Sequence, residues 1–294
     1  MQLKNNGHQM RKKIADVSVI VPNYNNGRFL GEFIRSVMDS TVLPRELIIV
    51  DDGSTDGSLK ILNDYNHLGY LQVISFEKNR GLTAALNVAL DAATGKYIMR
   101  ADPDDMLFSN RVQLQFEFMG QNPDIDVLGC NVQYFDSKTT RDINISNFPL
   151  THPEIEKTYR RGEHGLQHPT AFVKGDVYRK YRYQKIFPGE DYEIFARMIR
   201  DGHRFANLPE PLYHMRVHTG SATGNLKIEH IQVTFRFRDQ IFGTRTGRLR
   251  IYLYYHYILN YRKYQMGKDG LFKYLYLLIA ITAYPAKLLK RINS

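Results

Sequence analysis

Leu47-Ile48-Ile49-Val50-Asp51-Asp52-Gly53-Ser54-Thr55-Asp56-Gly57 is the stretch on which the fold turns. Four apolar residues, three of them β-branched and with no polar alternation, read as a short strand buried on both faces. Two acids end it. Gly53 allows a sharp turn, and Ser54 to Asp56 supply oxygens to cap a helix expected from Ser58 to about Asn66. The same order repeats on either side. Upstream, the strand Val17–Val21 runs into Pro22-Asn23-Tyr24-Asn25-Asn26-Gly27, and Phe29, Leu30, Phe33, Ile34, Val37 and Met38 then recur at helical spacing. Downstream, Leu71–Phe76 precedes Lys78–Gly81 and a helical face of Leu82, Ala85, Leu86, Ala89 and Leu90, closed by Gly95. A fourth strand, Tyr97–Met99, passes directly into Arg100-Ala101-Asp102-Pro103-Asp104-Asp105. Strand–helix alternation of these lengths predicts an α/β fold, Rossmann-like, with a mostly parallel central sheet and helices on both faces. Ligands of such sheets bind at the carboxyl ends of the strands, where all four polar clusters fall.

The chain is 294 residues long, 43% apolar, with one cysteine. That length suits one large domain with an appendage. A lone thiol forms no internal disulfide, so a reducing, cytoplasmic setting is expected, and Cys130, within Val127-Leu128-Gly129-Cys130, reads as a small core residue. Residues 1–15 read as a solubilising arm, since no apolar signal core follows Arg11-Lys12-Lys13. The net charge of +10 is unevenly spread: residues 221–294 hold 13 Lys/Arg against 3 Asp/Glu, leaving 27 of each elsewhere. A neutral body with a basic tail argues against nucleic acid as a partner and for a tail that meets an anionic surface. Residues 126–220 are mixed, with short strands and one clear helix over Asp191–Asp201; beyond about residue 224 the pattern is helical, aromatic and basic.

Asp102, Asp104 and Asp105 repel one another unless a cation is present. Capping the next helix, expected over Asn110–Gln121, needs one acid, not three. Oxygen ligands beside a phosphate suit Mg²⁺ or Mn²⁺. Pro22 to Gly27 offers an aromatic face and amides for a nucleobase, and an acid of the Asp51-Asp52 pair can accept hydrogen bonds from a base or ribose. Neither a dinucleotide fingerprint nor a P-loop is present, which argues against a dehydrogenase and requires phosphate to be held by metal and side chains.

Seven stretches, in order over about residues 17 to 220, together resemble the inverting glycosyltransferases of family two with the GT-A fold. They are Val19–Asn25, Ile49–Asp56, Asn79–Leu82 with Ala85–Asn87, Gly95–Asp105, His168–Thr170, Gly189–Tyr192 and Leu212–His218. The resemblance implies a hexose transferred from a nucleotide-sugar, most commonly a UDP-sugar, to a hydroxyl acceptor, in cell-surface polysaccharide or lipopolysaccharide assembly. It implies that Pro22, Tyr24, Asn25 and Asp52 meet the nucleotide, with Asp52 the pyrimidine anchor. Asn79, Arg100, Asp102 and Arg216 would line the donor site, and Asp104 and His218 would hold the divalent metal. Asp191 would be the catalytic base, with Glu190 beside it facing sugar hydroxyls. Pro103, at the middle of the D-x-D motif, departs from the small residues commoner there. The domain would run over 16–223, a nucleotide-sugar part (16–105) before an acceptor part (106–223). A nucleotidyltransferase and a non-catalytic sugar-binding relative are the competing readings. The helical extension 224–294 reads as a peripheral attachment to the inner face of the cytoplasmic membrane, near a lipid-linked acceptor, or else as a pair of helices packed on the domain or a dimer contact. Its second apolar run, Tyr274–Tyr284, is too short for the ~20 residues of a spanning helix.

Overall fold

The computed structural model describes residues 12–186, 188–218, 227–266 and 271–284. Strand β1 (Lys13–Asn23) begins inside the segment expected as an arm; residues 13–15 pair with β2 (Val42–Asp51), and residues 1–11 of that arm lie outside the described residues. β3 (Leu71–Ser75) and β4 (Tyr97–Arg100) complete a parallel quartet in the order β3-β2-β1-β4. The helices between them are α1 (Gly27–Met38), α2 (Ser58–Asp64) and α3 (Leu82–Ala92). β2 and β4 flank β1 on opposite sides, so the chain reverses direction across the sheet at β1. That is the topological switch point where open α/β sheets bind ligands.

Alternate residues of the central strands enter two cores. Val17, Val19 and Val21 of β1 with Leu47 and Ile49 of β2 pack against Leu30, Phe33 and Ile34 of α1. Ile20, Ile48, Val50 and Ile98 pack on the other face against Leu86, Ala89 and Leu90 of α3. The period of two in the strands and 3.6 in the helices therefore meets on both faces of one sheet.

The second half is mixed. β8 (Phe172–Lys174) runs antiparallel to β4 and to β6 (Val127–Asp136), β6 runs parallel to β9 (Phe205–Val217), and β5 (Met106–Leu107) closes on β9 antiparallel. β7 (Asp142–Ile145) pairs with β6 at the edge. The sheet is thus parallel over its first four strands and mixed beyond them. α4 (Arg111–Gln121), α5 (His152–Tyr159), α6 (Gly175–Tyr178) and α7 (Glu190–Arg200) complete this half.

Three helices follow: α8 (Ile228–Phe242), α9 (Arg248–Met266) and α10 (Leu271–Ala283). α8 packs on α7, and its Phe237 joins the core beneath that helix. α9 and α10 form a hairpin around Ile231, Phe235, Tyr254, Tyr257 and Ala280. α8 thus packs on the domain as one reading of the tail expected, while α10 exposes Tyr274, Leu275, Leu278 and Ile279. Among the described residues no helix is long and apolar enough to cross a membrane.

Gly53 ties β2 to the turn after β3. Its φ is +69°, and an added Cβ would lie 2.6 Å from the Lys78 carbonyl carbon and 2.7 Å from the Asn79 nitrogen. Gly53→Ala therefore meets both backbone strain and a collision with main chain, a cost of about 2 kcal/mol or more. A thermal melt is expected to fall by several degrees; an unchanged midpoint would contradict this account of the turn.

Candidate active site

The carboxyl ends of β1, β2 and β4 open into a cavity of about 840 Å³. The β1–β2 corner is held from within. Asp51 is fully buried; it accepts from Asn23 Nδ2 at 2.7 Å, from Ser54 Oγ at 2.6 Å and from the Ser54 amide at 3.0 Å. Asp52 lines the cavity, and its two oxygens accept the Arg80 and Gly81 amides at 2.6 and 2.8 Å. One carboxylate thus anchors the loop carrying Asn79 and still has lone pairs to offer the cavity. Tyr24 lines the mouth with 46% of its surface exposed, beside Pro22. Asn25 does not line the cavity. It sits at φ 54°, where asparagine is tolerated, and its Oδ1 accepts the Thr55 amide at 2.8 Å. It shapes the turn that presents Tyr24.

The acid turn hangs between β4 and β5. Tyr213 of β9 accepts the Asp102 amide at 2.8 Å and donates to Asp105. The Arg216 amide donates to Asp105 at 2.7 Å, its Nε to the Asp104 carbonyl at 2.8 Å, and its guanidinium to Glu32 at 2.5 Å, while lying over the Phe29 and Phe135 rings. Buried Arg111 donates to the Arg100 and Pro169 carbonyls, fixing the end of β4 against the His168 turn.

Arg100 is buried, donates to Asp102 at 2.5 Å, and its Nε has no partner among the described residues. Burial works against its charge, but Asp102 beside it outweighs that and holds the guanidinium above its ordinary range. Burial pushes the Asp102 carboxyl up; Arg100 offsets part of this, and Asp104 and Asp191 add to it. Asp105 is raised well above the usual carboxylate range by burial and then by Asp104 and Asp102. Oxygens of Asp102, Asp104 and Asp105 lie within 4.8 Å of one another, and His218 Nε2 is 3.1 Å from Asp104 Oδ2. A hard oxygen set short of positive charge, with an imidazole alongside, fits a divalent cation.

Glu190 and Asp191 open α7. Gly189 precedes them at φ +109°, and an added Cβ would touch Val233 of α8 at 3.4 Å. Asp191 Oδ1 accepts the Tyr192 amide at 2.7 Å, and Oδ2 lies 3.5 Å from His164 Nδ1. The Glu190 carboxylate is buried, with Oε2 unpartnered. Both residues line the cavity that holds Tyr24, Asp52, Asn79, Arg100, Asp102, Asp104 and Arg216; His218 joins through Asp104. Asp105, expected with Asp102 and Asp104 as an oxygen ligand, lines it too, as do Arg80, His168 and Lys185, to which no role was assigned. Arg80 and His168 stand in stretches that carry the family resemblance; Lys185 carried no signal.

The Glycosyl transferase family 2 profile matches residues 18–183. The amylovoran biosynthesis glycosyltransferase AmsE of Erwinia amylovora is 30% identical over 208 residues, 69% of this chain and 76% of that protein. The Escherichia coli UDP-Gal:alpha-D-GlcNAc-diphosphoundecaprenol beta-1,3-galactosyltransferase is 28% identical over 215 residues, 71% of this chain and 78% of that one. Among solved structures, S. aureus TarS 1-349 in complex with UDP-GlcNAc superposes with a TM-score of 0.62 at 21% identity, covering 91% of this chain and 79% of that one. The mannosyltransferase PcManGT of Pyrobaculum calidifontis, in complex with GDP-Man and Mn²⁺, gives 0.54 at 16%, covering 93% and 75%. At these identities the two structures share the fold.

Burial and the neighbouring Asp191 push Glu190 from its usual 4.5 up to about 7. The folded protein then holds this proton more tightly than the unfolded chain, so stability is lost as pH rises from 4.5 through about 7. Glu190→Gln removes that loss. Its melting temperature is expected to gain on wild type between pH 5 and pH 8; a difference constant with pH would contradict the electrostatic account.

Proposed function

The chain belongs to glycosyl transferase family 2, and on that premise we propose that it transfers a hexose from a UDP-sugar to a hydroxyl acceptor with inversion, in cell-surface polysaccharide or lipopolysaccharide assembly. The observation that carries the reading is one cavity lined at once by Tyr24 and Asp52, by Arg100, Asp102 and Asp104, and by Glu190 and Asp191. Tyr24 stacks on the base, with Pro22 beneath and Asp52 accepting from its edge. Asn79 and Arg100 line the donor pocket, Asp102 meets the ribose or sugar, and Arg216 meets the diphosphate. Glu190 faces sugar hydroxyls. Within the 16–223 domain, residues 16–105 serve the donor and 106–223 the acceptor.

Asp191 is the base. It takes the acceptor hydroxyl proton as the new C1–O bond forms on one face of the sugar. The C1–O bond to phosphate breaks on the other face, its electron pair leaving with the diphosphate, and the anomeric centre inverts. Held in line, the two substrates react with much of the entropic cost already met by binding. A Mn²⁺ or Mg²⁺ held by Asp104 and His218, with Asp102 and Asp105 beside it, would supply Lewis-acid charge for the leaving diphosphate.

The tail gives a second partner. Its basic composition and the outward Tyr274, Leu275, Leu278 and Ile279 of α10 favour peripheral attachment to an anionic membrane face, where a lipid-linked acceptor lies. The expected location is therefore the inner face of the cytoplasmic membrane. Residues 224–226, 267–270 and 285–294 of that region lie outside the described residues.

Two outcomes test these readings. With Mn²⁺, one member of a panel of UDP-, GDP- and dTDP-sugars is expected to be slowly hydrolysed. EDTA or Asp104→Ala should abolish release, and Asp191→Asn should slow it about 100-fold or more while sparing nucleotide binding. Binding without turnover by wild type in any condition would favour a non-catalytic relative, and no nucleotide binding would end the reading. Separately, the protein is expected to sediment with phosphatidylglycerol vesicles. Raised salt or the pair Leu275→Asp and Leu278→Asp should release it, whereas a protein that ignores such vesicles has no membrane role for α10.

A further inference from the structure

His168 belongs to none of the roles assigned above, yet it is held with unusual care. It heads a single 3-10 turn, His168–Thr170, lines the same cavity as Arg100 and Glu190, and is 8% exposed. Its ring meets Phe195 of α7 edge-on, with centroids 5.8 Å apart at 80°. His168 Nε2 lies 2.7 Å from the Tyr183 hydroxyl, which in turn is hydrogen-bonded to the hydroxyl of Tyr178. Tyr178 is fully buried, and Tyr183 is its sole hydroxyl partner among the described residues.

That buried chain has a direction. If His168 donated from Nε2, Tyr183 would donate to Tyr178, and the Tyr178 hydroxyl hydrogen would be left in the core with no acceptor. In the opposite direction Tyr178 donates to Tyr183, Tyr183 donates to Nε2, and every buried hydroxyl hydrogen is satisfied. Nε2 is then the acceptor, so the ring hydrogen sits on Nδ1, which has no protein partner among the described residues. Burial, then Arg100 and His164, drive the imidazole well below its usual range, so the ring is neutral. The result is a fixed, uncharged N–H donor in the cavity wall.

We propose that His168 is a specificity-determining residue that donates its Nδ1–H to an oxygen of the donor's hexose. The inference rests on reading the cavity as a UDP-sugar site. Diphosphate oxygens call for charge, which Arg216 and the acid turn's cation supply. The base lies at the Tyr24–Asp52 end. An uncharged donor beside Arg100 and Glu190 suits a neutral hydroxyl or amide oxygen, and its fixed tautomer rejects a group that can only donate.

Isothermal titration of UDP and of UDP-GlcNAc and UDP-galactose, with Mn²⁺ present, tests this. His168→Leu is expected to leave the Kd of UDP within about twofold and weaken the bound UDP-sugar about 10-fold or more, abolishing its advantage over UDP. His168→Asn, whose amide can replace the Nδ1–H, is expected to recover most of the loss. Tyr183→Phe removes only the hydroxyl that sets the tautomer. It should weaken the sugar complex selectively, and it carries the test if the leucine variant fails to fold. Equal weakening of UDP and UDP-sugar, or no weakening of either, overturns the proposal, the latter moving His168 to the acceptor side or to structure. A wild type that binds no nucleotide overturns the parent reading and this one together.

Discussion

The buried guanidinium of Arg100 stands among the carboxylates at the carboxyl edge of this sheet, with that of Arg216 held against the same acid turn. Asp102 is paired with it directly; Asp104, Asp105, Glu190 and Asp191 lie around the same cavity. Charges this close in a poorly hydrated site repel strongly. They persist because the backbone leaves them little choice: Tyr213 and Arg216 of β9 clamp the acid turn from one side, and Arg111 clamps the end of β4 from the other. Burial first, and then this crowding of like charge, holds the Asp102, Asp105 and Glu190 carboxyls above their usual range. A site in this condition is organised to gain from a cation and from a ligand rich in hydroxyl donors. Much of the second half of the fold serves to keep it so.

The first half, β1 to β4, was legible because its information is local. Short β-branched runs, an amphipathic stripe such as Phe29 to Val37, and a polar cluster after each strand specify a βαβ unit within about thirty residues. The second half was not, because its partners are distant. β6 and β9 pair in parallel over nearly their full length although about eighty residues separate them, and neither strand's pattern names the other. The same distinction holds inside the site. The acids of the D-x-D turn and the Glu190-Asp191 pair announce themselves by density of charge. The clasp of Asp52 on the Arg80 and Gly81 amides and the link from Tyr178 through Tyr183 to His168 join residues fewer than thirty apart, yet they depend on how turns place side chains, which no period of apolar residues encodes. Asn25 shows the converse: a residue rich in hydrogen-bonding groups beside the site is spent on its own turn, as its left-handed backbone requires.

The helical extension has two faces with different chemistry. α8 is cemented to α7 by Val233 and Phe237 and presses Phe235 against the turn at Gly162, where an added Cβ would sit 3.2 Å from the ring. The turns it braces lead into His164 and into Glu190-Asp191, whose side chains meet where His164 Nδ1 lies 3.5 Å from Asp191 Oδ2. α9 and α10 stand farther out and meet α8 through an aromatic cluster of Phe235, Tyr254, Tyr257 and Tyr284. Force applied to the outer hairpin therefore has a short mechanical route to Glu190 and Asp191.

That contact also decides where such enzymes can be cut and rejoined. The family resemblance fades near residue 220, and a protein engineer guided by it would graft a new tail before Ile228. The seam would fall between Gly189 and the Val233 side chain that seals it. A chimera joined after Phe242 instead keeps α8 with the domain it braces and exchanges only the hairpin, so the unit of recombination is longer than the unit of resemblance.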